Sequence, residues 1–291
     1  MRPEAASAYM AQVNRILSGD HPVAEVPSRS QREMMEQVRL HFVSRDGRKQ
    51  SVESGTEISP EAGMVAVLNI EGPIMKDDFC GAPGTATIGT WLEDFDKTPE
   101  VVGTVLNIDS PGGDGYGMMA LAASLGRTRK PTVSIVQHGM ACSAAYGIAA
   151  CTDVVMAASS TDEFGSIGTY VKLANWEKAN RENKDFPLEI HTVFATRSTD
   201  KNRDFIEALK ADPTNLDDPH YDALRKNYLD PFNQAFIDMV KAQRPGAQDT
   251  EGVFAGRVFM ASDALKYGLI DNTGATMADA IAKVRELAKP N

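Results

Sequence analysis

Two short stretches of this chain carry residue types that can do acyl-transfer chemistry. The first is GMACSAAYGIAAC, residues 139–151, in which one hydroxyl, that of Ser143, stands among small and apolar residues just after a β-branched segment. Small residues let a helix pack closely, which is one reason for such a run. The other is chemical: a serine presented at a helix start can act as a nucleophile. The second stretch is SPGGDGYG, Ser110 to Gly117. A proline and two glycines at a strand's carboxyl end force a tight turn, and Gly112 and Gly113 let a ligand approach the backbone with no Cβ in the way. If a helix starts just after, unpaired N–H groups face the crevice, which is how an oxyanion hole is built. The Ala144 N–H is placed to be the second donor. A serine is a weak nucleophile without a base, so a third group is required.

The elements around these stretches explain how they come to face one another. Met64–Ile74, Val101–Asp109, Pro131–Gly139 and Val154–Ala158 read as strands, nearly continuous in β-branched and apolar residues. Helical patterns fall between them at Ile88–Phe95, Tyr116–Leu125 and Ser143–Ala150. Strands alternating with helices at this spacing predict an α/β fold of βα units around a mainly parallel sheet, covered on both faces. In such sheets ligands bind outside the carboxyl ends of the strands, where both stretches lie. A long helix is predicted over Pro219–Gln243, with Tyr221, Leu224, Tyr228, Phe232, Phe236 and Val240 at helical spacing as a core or subunit-interface stripe. A last helix is predicted over Met277–Ala288. Residues 1–60 are polar, with weak helical patterns at Ala8–Leu17 and Arg32–Val43. They are expected to form an appendage ahead of a domain of residues 61–291.

Composition narrows the function. The 291 residues carry a formal net charge of −10, which disfavours a nucleic-acid partner. Cys80, Cys142 and Cys151 form no CxxC pair and no zinc spacing, and scattered thiols suit a reducing, cytoplasmic setting. No stretch approaches the roughly 20 apolar residues of a membrane span. Asp109 and Asp114 flank the glycine turn, but two carboxylates without clustered partners make a poor cation site. Asp114 is better placed to cap the following helix. Neither metal nor cofactor is expected.

Four segments in order, LNIDSPGGDGYG, GMACSAAYGIAACTDVVMA, FGSIGTYV and GRVFMASDALKYGLIDNTG, resemble the signal peptide peptidase A (SppA) family of serine peptidases, which share the ClpP/crotonase fold. Together they cover roughly residues 64–285. The resemblance implies that Ser143 is the nucleophile and that the glycine pair is Gly112 and Gly113. It implies the oxyanion donors Gly113 and Ala144, and a substrate groove lined by Gly112 and by Ser166 of GSIG. Where the family commonly has two glycines after the serine, this chain has Ala144 and Ala145. The N–H groups survive that change, and the methyls narrow the site.

The family's base is a lysine downstream of GSIG, which in some members is lent by a neighbouring subunit. In HTVFATRSTDKNRDF, residues 191–205, Lys201 is the sole lysine and takes that role, with Arg197 and Arg203 nearby to depress its pKa by repulsion. A gap-free extension of the family's spacing falls slightly earlier, near Thr196–Thr199, with Thr199 the residue in the lysine's place, and the glycine usual before the lysine is absent. His138 and His191 are alternative bases. A free lysine titrates near 10.4, so working at neutral pH requires a lowering of about 3 units, or about 4 kcal/mol.

The expected function is therefore a serine endopeptidase with a Ser–Lys dyad acting on polypeptides as a homo-oligomeric ring or dome. Soluble relatives of this form include phage prohead proteases that mature capsids. The alternatives are a non-catalytic ring-forming scaffold of the same fold and a crotonase-like acyl-CoA enzyme.

Overall fold

The structure, a computed structural model, describes residues 40–51, 61–79, 82–173, 194–198 and 200–289. The helix expected over Ala8–Leu17, together with Cys80, His191 and Thr199, lies outside the described residues. The chain divides into two compact units, Met1–Gly168 with Ile237–Asn291, and Thr169–Phe236.

In chain order the first unit carries β1 (Leu40–Val43), β2 (Lys49–Ser51), β3 (Met64–Glu71), α1 (Thr85–Lys97), β4 (Val101–Asp109), α2 (Gly115–Leu125), β5 (Thr132–Val136), β6 (Met140–Cys142), α3 (Ala144–Ala150), β7 (Val154–Ala157) and β8 (Glu163–Gly165). The second unit has α4 (Arg203–Ala208) and enters α5 (Asp230–Gln243). The first unit then closes with β9 (Val258–Met260), α6 (Ala261–Lys266) and α7 (Met277–Leu287).

Six strands form the main sheet in the order β2-β1-β3-β4-β5-β7. The last four run parallel, and β1 is antiparallel to both its neighbours. The α/β architecture with a mainly parallel sheet is thus as expected. Two of its strands, β1 and β2, come from the stretch read as an appendage. Residues 40–43 were expected to end a helix; instead they pair with Val65–Leu68. The paired segment of β3 is buried on both faces, and its apolar edge gains a hydrogen-bonded neighbour from LHFV.

Alternation along the strands sends Val65, Val67, Val105, Val133 and Ile135 to one face. There they pack with Ala280, Ile281 and Val284 of α7. Leu68, Leu106 and Ile108 point to the other face, towards the side of α1 and α2, where Leu92 and Leu121 are also fully buried. The Arg285 guanidinium ties α7 to the hairpin by donating to the Val43 and Ser44 carbonyls at 3.2 and 2.7 Å. At the carboxyl edge a side-chain amide ladder crosses three strands. Gln137 donates to Asn107 and Asn107 to Asn69, each at 3.0 Å. That ladder pins the register of the edge from which the functional turns emerge.

One predicted element is shortened and another is subdivided. The strand expected over Pro131–Gly139 ends at Val136, and a new strand, β6, starts at Met140 in a separate sheet ordered β6-β8-β9. The helix expected over Pro219–Gln243 begins as a 3-10 turn (Pro219–Tyr221) and a helical turn (Asp222–Leu224). A π turn, Arg225–Leu229, precedes α5. Pro231 has no N–H to give the preceding turn, which accounts for the widening just ahead of it.

His41 on β1 has a buried Nε2 with no partner among the described residues. Its pKa is held below the ordinary 6.5, by burial first and by Lys49 second. Its contribution is complete above the unfolded-state value and lost as pH falls through the folded-state value, because the unfolded chain then binds more protons. Stability of the wild type, read as the urea midpoint, should therefore fall more between pH 7.5 and 5 than that of His41→Gln. Parallel pH profiles for the two proteins would refute this.

Candidate active site

Ser143 sits between β6 and α3 with φ 55° and ψ −126°. A left-handed backbone at a non-glycine residue costs of order 1–3 kcal/mol and persists only where the surroundings impose it. Here they do. The Ser143 N–H donates to the Gly165 carbonyl at 2.8 Å, and its carbonyl accepts from Gly147 at 3.0 Å as the first bond of α3. The bend lifts the side chain off the helix axis. It is half-buried, caps no helix N–H, and its hydroxyl has no hydrogen-bond partner among the described residues. Cys142, one residue earlier, is turned inward and buried, as expected of a small hydrophobe.

Backbone pairing brings the glycine turn to the serine. The Ser110 N–H donates to the Met140 carbonyl at 2.7 Å and the Cys142 N–H donates to the Ser110 carbonyl at 3.1 Å, so Ser110 lies abreast of Ala141. Two residues on, Gly112 lies abreast of Ser143. A Cβ built on Gly112, where φ is +102°, would stand 2.6 Å from the Ser143 Cβ and 3.0 Å from the Ala144 nitrogen. Only glycine fits.

The donors can be assigned by accounting for every N–H of the turn. Pro111 has none. The Gly112 N–H donates to the Ser110 Oγ at 3.2 Å. The Asp114 N–H donates to the Ile74 carbonyl at 2.9 Å, and the Gly112 carbonyl accepts from the Ile74 N–H at 2.9 Å. In a trans peptide the C=O and the following N–H point in opposite directions. Ile74 holds the Gly112 oxygen, so the Gly113 N–H is aimed away from Ile74. Gly113 is exposed and its N–H has no acceptor among the described residues; the N–H of Ala144, the first of α3, also lacks one there, although Ala144 itself is buried. Asp114 caps α2 as expected, its carboxylate accepting from the Tyr116 N–H at 2.9 Å.

Two carboxylates brace β6, the strand that leads into Ser143. The fully buried Asp162 accepts N–H groups from Gly139, Ala158 and Ser159 at 3.1, 2.9 and 2.8 Å. Asp109 accepts from the Met140 N–H at 3.1 Å. Sequence reasoning passed over Asp162, which is separated by two residues from the segment it would have had to be linked to, GSIG. Ser166 follows Gly165, has φ 53°, and donates its N–H to the Arg257 carbonyl at 2.8 Å.

A cavity of about 370 Å3 adjoins the glycine turn through Ile74. Its lining includes Ile70, Pro73, Met75, Phe79 and Ile88. His138 is exposed before β6, at the opposite end of that strand from Ser143. A three-residue strand spans about 10 Å, beyond hydrogen-bond reach. Lys201 belongs to the second unit. It is exposed in a turn whose Lys201 N–H donates to the Ser198 carbonyl at 3.2 Å. Arg203, expected to act on it by repulsion, is itself paired with Asp200 at 2.9 Å and exposed. No cluster of three or more metal-ligating side chains occurs among the described residues, nor does a helix long and apolar enough to cross a membrane.

The profile of peptidase family S49 matches residues 125–291. The chain is 28% identical to Protease 4 of Salmonella typhi over 232 residues, which is 78% of this chain and 35% of that protein. It is 25% identical to Protease 4 of Haemophilus influenzae over 229 residues, 77% of this chain and 34% of that protein. The chain thus spans about a third of the length of these relatives. Among solved structures, a substrate-bound mutant of the 1510-N membrane-bound stomatin-specific protease aligns with a TM-score of 0.44 at 17% identity, covering 73% of this chain and 76% of that one.

The Gly112→Ala variant tests the close approach. It should fold, by circular dichroism, and lose at least ~100-fold in kcat/KM of peptide hydrolysis, the scale on which oxyanion donors count. Undiminished hydrolysis would show that the two turns do not work together.

Proposed function

The chain belongs to peptidase family S49, and from that footing we propose that it is a serine endopeptidase in which Ser143 is the nucleophile and Lys201 the base. The observation that carries this reading is the unbonded Ser143 hydroxyl held at a left-handed bend beside Gly112, with the Gly113 and Ala144 N–H groups both unpaired among the described residues.

The Ser143 Oγ attacks the scissile carbonyl carbon while neutral Lys201 takes its proton. The carbonyl oxygen becomes an oxyanion and is held by the Gly113 and Ala144 N–H groups. Collapse of the tetrahedral intermediate breaks the C–N bond, and the Lys201 ammonium returns the proton to the departing amine. Water then adds to the acyl-enzyme by the same route in reverse and frees Ser143. Gly112 and Ser166 flank the substrate backbone, and the cavity beyond Ile74 suits an apolar substrate side chain.

Lys201 is exposed in the single chain. We assign it to a neighbouring copy's site in a homo-oligomeric ring or dome, where burial against the neighbour would supply the desolvation a lysine base needs. Residues 61–291 form the peptidase domain in this reading, with β1 and β2 completing its sheet. The polar stretch ahead of it favours processing of head or scaffold proteins during phage assembly. Portal and capsid genes beside this one would support that role.

Ser143→Ala should lower peptide hydrolysis by about 10^4-fold or more, and Lys201→Ala nearly as far. A fluorophosphonate probe should label the wild type at Ser143. Mixing the two inactive variants should restore part of the activity, since each would supply what the other lacks. No recovery on mixing would place the base in the same chain, and full activity of Ser143→Ala would overturn the reading.

A further inference from the structure

We propose that Ser110 is a positioning residue that sets the oxyanion hole, an inference that rests on the peptidase reading above and adds a residue that does not itself touch the substrate.

Ser110 is fully buried and all three of its polar groups are committed. Its N–H and carbonyl bond to Met140 and Cys142, the strand that ends in the nucleophile. Its hydroxyl accepts the Gly112 N–H. One residue therefore fixes both the spacing between the nucleophile turn and the glycine turn and the tilt of the peptide that enters Gly112. The geometry has a chemical consequence. Gly112 and Gly113 follow one another, and either could present its N–H to a carbonyl oxygen. With the Gly112 N–H held inward by the Ser110 hydroxyl, the outward donor is Gly113.

The two backbone bonds of Ser110 survive any side-chain substitution, so the register of the turns is kept when the hydroxyl is removed. What changes is the Gly112 N–H. It sits in a buried position that the lost hydroxyl leaves without an acceptor. The flanking peptide is then free to turn in search of one, because two adjacent glycines carry no Cβ to resist rotation. The Ile74 N–H still holds the Gly112 oxygen, so the Gly113 N–H keeps its direction, but rotation of the Pro111–Gly112 peptide shifts the Gly112 Cα against Ser143 and displaces that N–H. A displaced oxyanion donor weakens the transition state more than the ground state.

The test uses the full chain and a fluorogenic tripeptide amide ending in leucine, with wild type, Ser110→Ala, Ser110→Thr and Ser143→Ala compared. Ser110→Ala is expected to lower kcat about 10- to 100-fold with KM within about twofold. A peptide aldehyde, whose tetrahedral adduct on Ser143 carries the same oxyanion, should bind the alanine variant more weakly by a similar factor. Ser110→Thr, which keeps the hydroxyl, should recover most of the rate. If the alanine variant does not fold, Ser110→Cys, close in size and a poorer acceptor, carries the same readouts. An unchanged kcat in a folded variant, or a rise in KM with kcat and aldehyde affinity unaltered, overturns the inference. Continued cleavage by Ser143→Ala in the same assay would instead overturn the peptidase reading beneath it.

Discussion

The site depends on one geometric constraint: a trans peptide cannot point its oxygen and the next N–H the same way. Because the Ile74 N–H takes the Gly112 oxygen, the Gly113 N–H has to face the opposite side. The bridge between Ser110 and Ala141 puts that side level with Ser143. Neither the hydroxyl nor the amide is aimed by its own side chain. Both are aimed by backbone hydrogen bonds that continue the strand pairing one or two residues past the end of the parallel sheet. The chemistry can therefore be rigid although it sits on turns.

Rigidity of this kind carries a cost, which appears at Ser143. Its left-handed conformation is unfavourable for an L-residue with a side chain. The offset comes from a second, small sheet. Strand β6 pairs with β8, β8 pairs with β9, and the Gly165 carbonyl at the end of β8 takes the Ser143 N–H. Asp162 closes the base of the arrangement by gathering the N–H groups of Gly139, Ala158 and Ser159 on one buried carboxylate. Nearly all of this bracing is local to the segment from Gly139 to Ser166. The exception is β9, which arrives from more than ninety residues downstream and supplies, just ahead of it, the Arg257 carbonyl that holds Ser166.

The proposed nucleophile and donors on one hand and the proposed base on the other rest on different physics. Ser143, Gly113 and Ala144 draw their geometry from hydrogen bonds within one unit. Lys201 stands in a turn of the other unit, which has few buried side chains among its described residues. A serine and two amides need only be placed. A lysine base must in addition be dried to lose its proton, and that is a property of what surrounds it in the working assembly rather than of its own turn.

Much of this was legible in the residues themselves. Strand β4 and helices α2, α3 and α7 fall within a residue or two of where apolar runs, Gly-Pro punctuation and helical spacing put them, because those signals are local. The roles of Asp114 as a cap and of Cys142 as an inward-packed thiol were legible for the same reason. Three things were not. Strand β6 is three residues long, too short for any period to show, and falls in the gap between the strand expected to end at Gly139 and the helix expected to start at Ser143. The strand character of Leu40–Val43 comes from its partner β3, not from its own pattern, which reads as helical. The left-handed bend at Ser143, the Ile74 hold on the Gly112 oxygen and the link from Asp162 to Gly139 each join residues of different elements, which no local pattern records. Local sequence determined which residue types stand at the carboxyl edge of the sheet. Only tertiary pairing decided which N–H groups were consumed and which were left over, because a donor is free only once every other acceptor in the fold has been assigned.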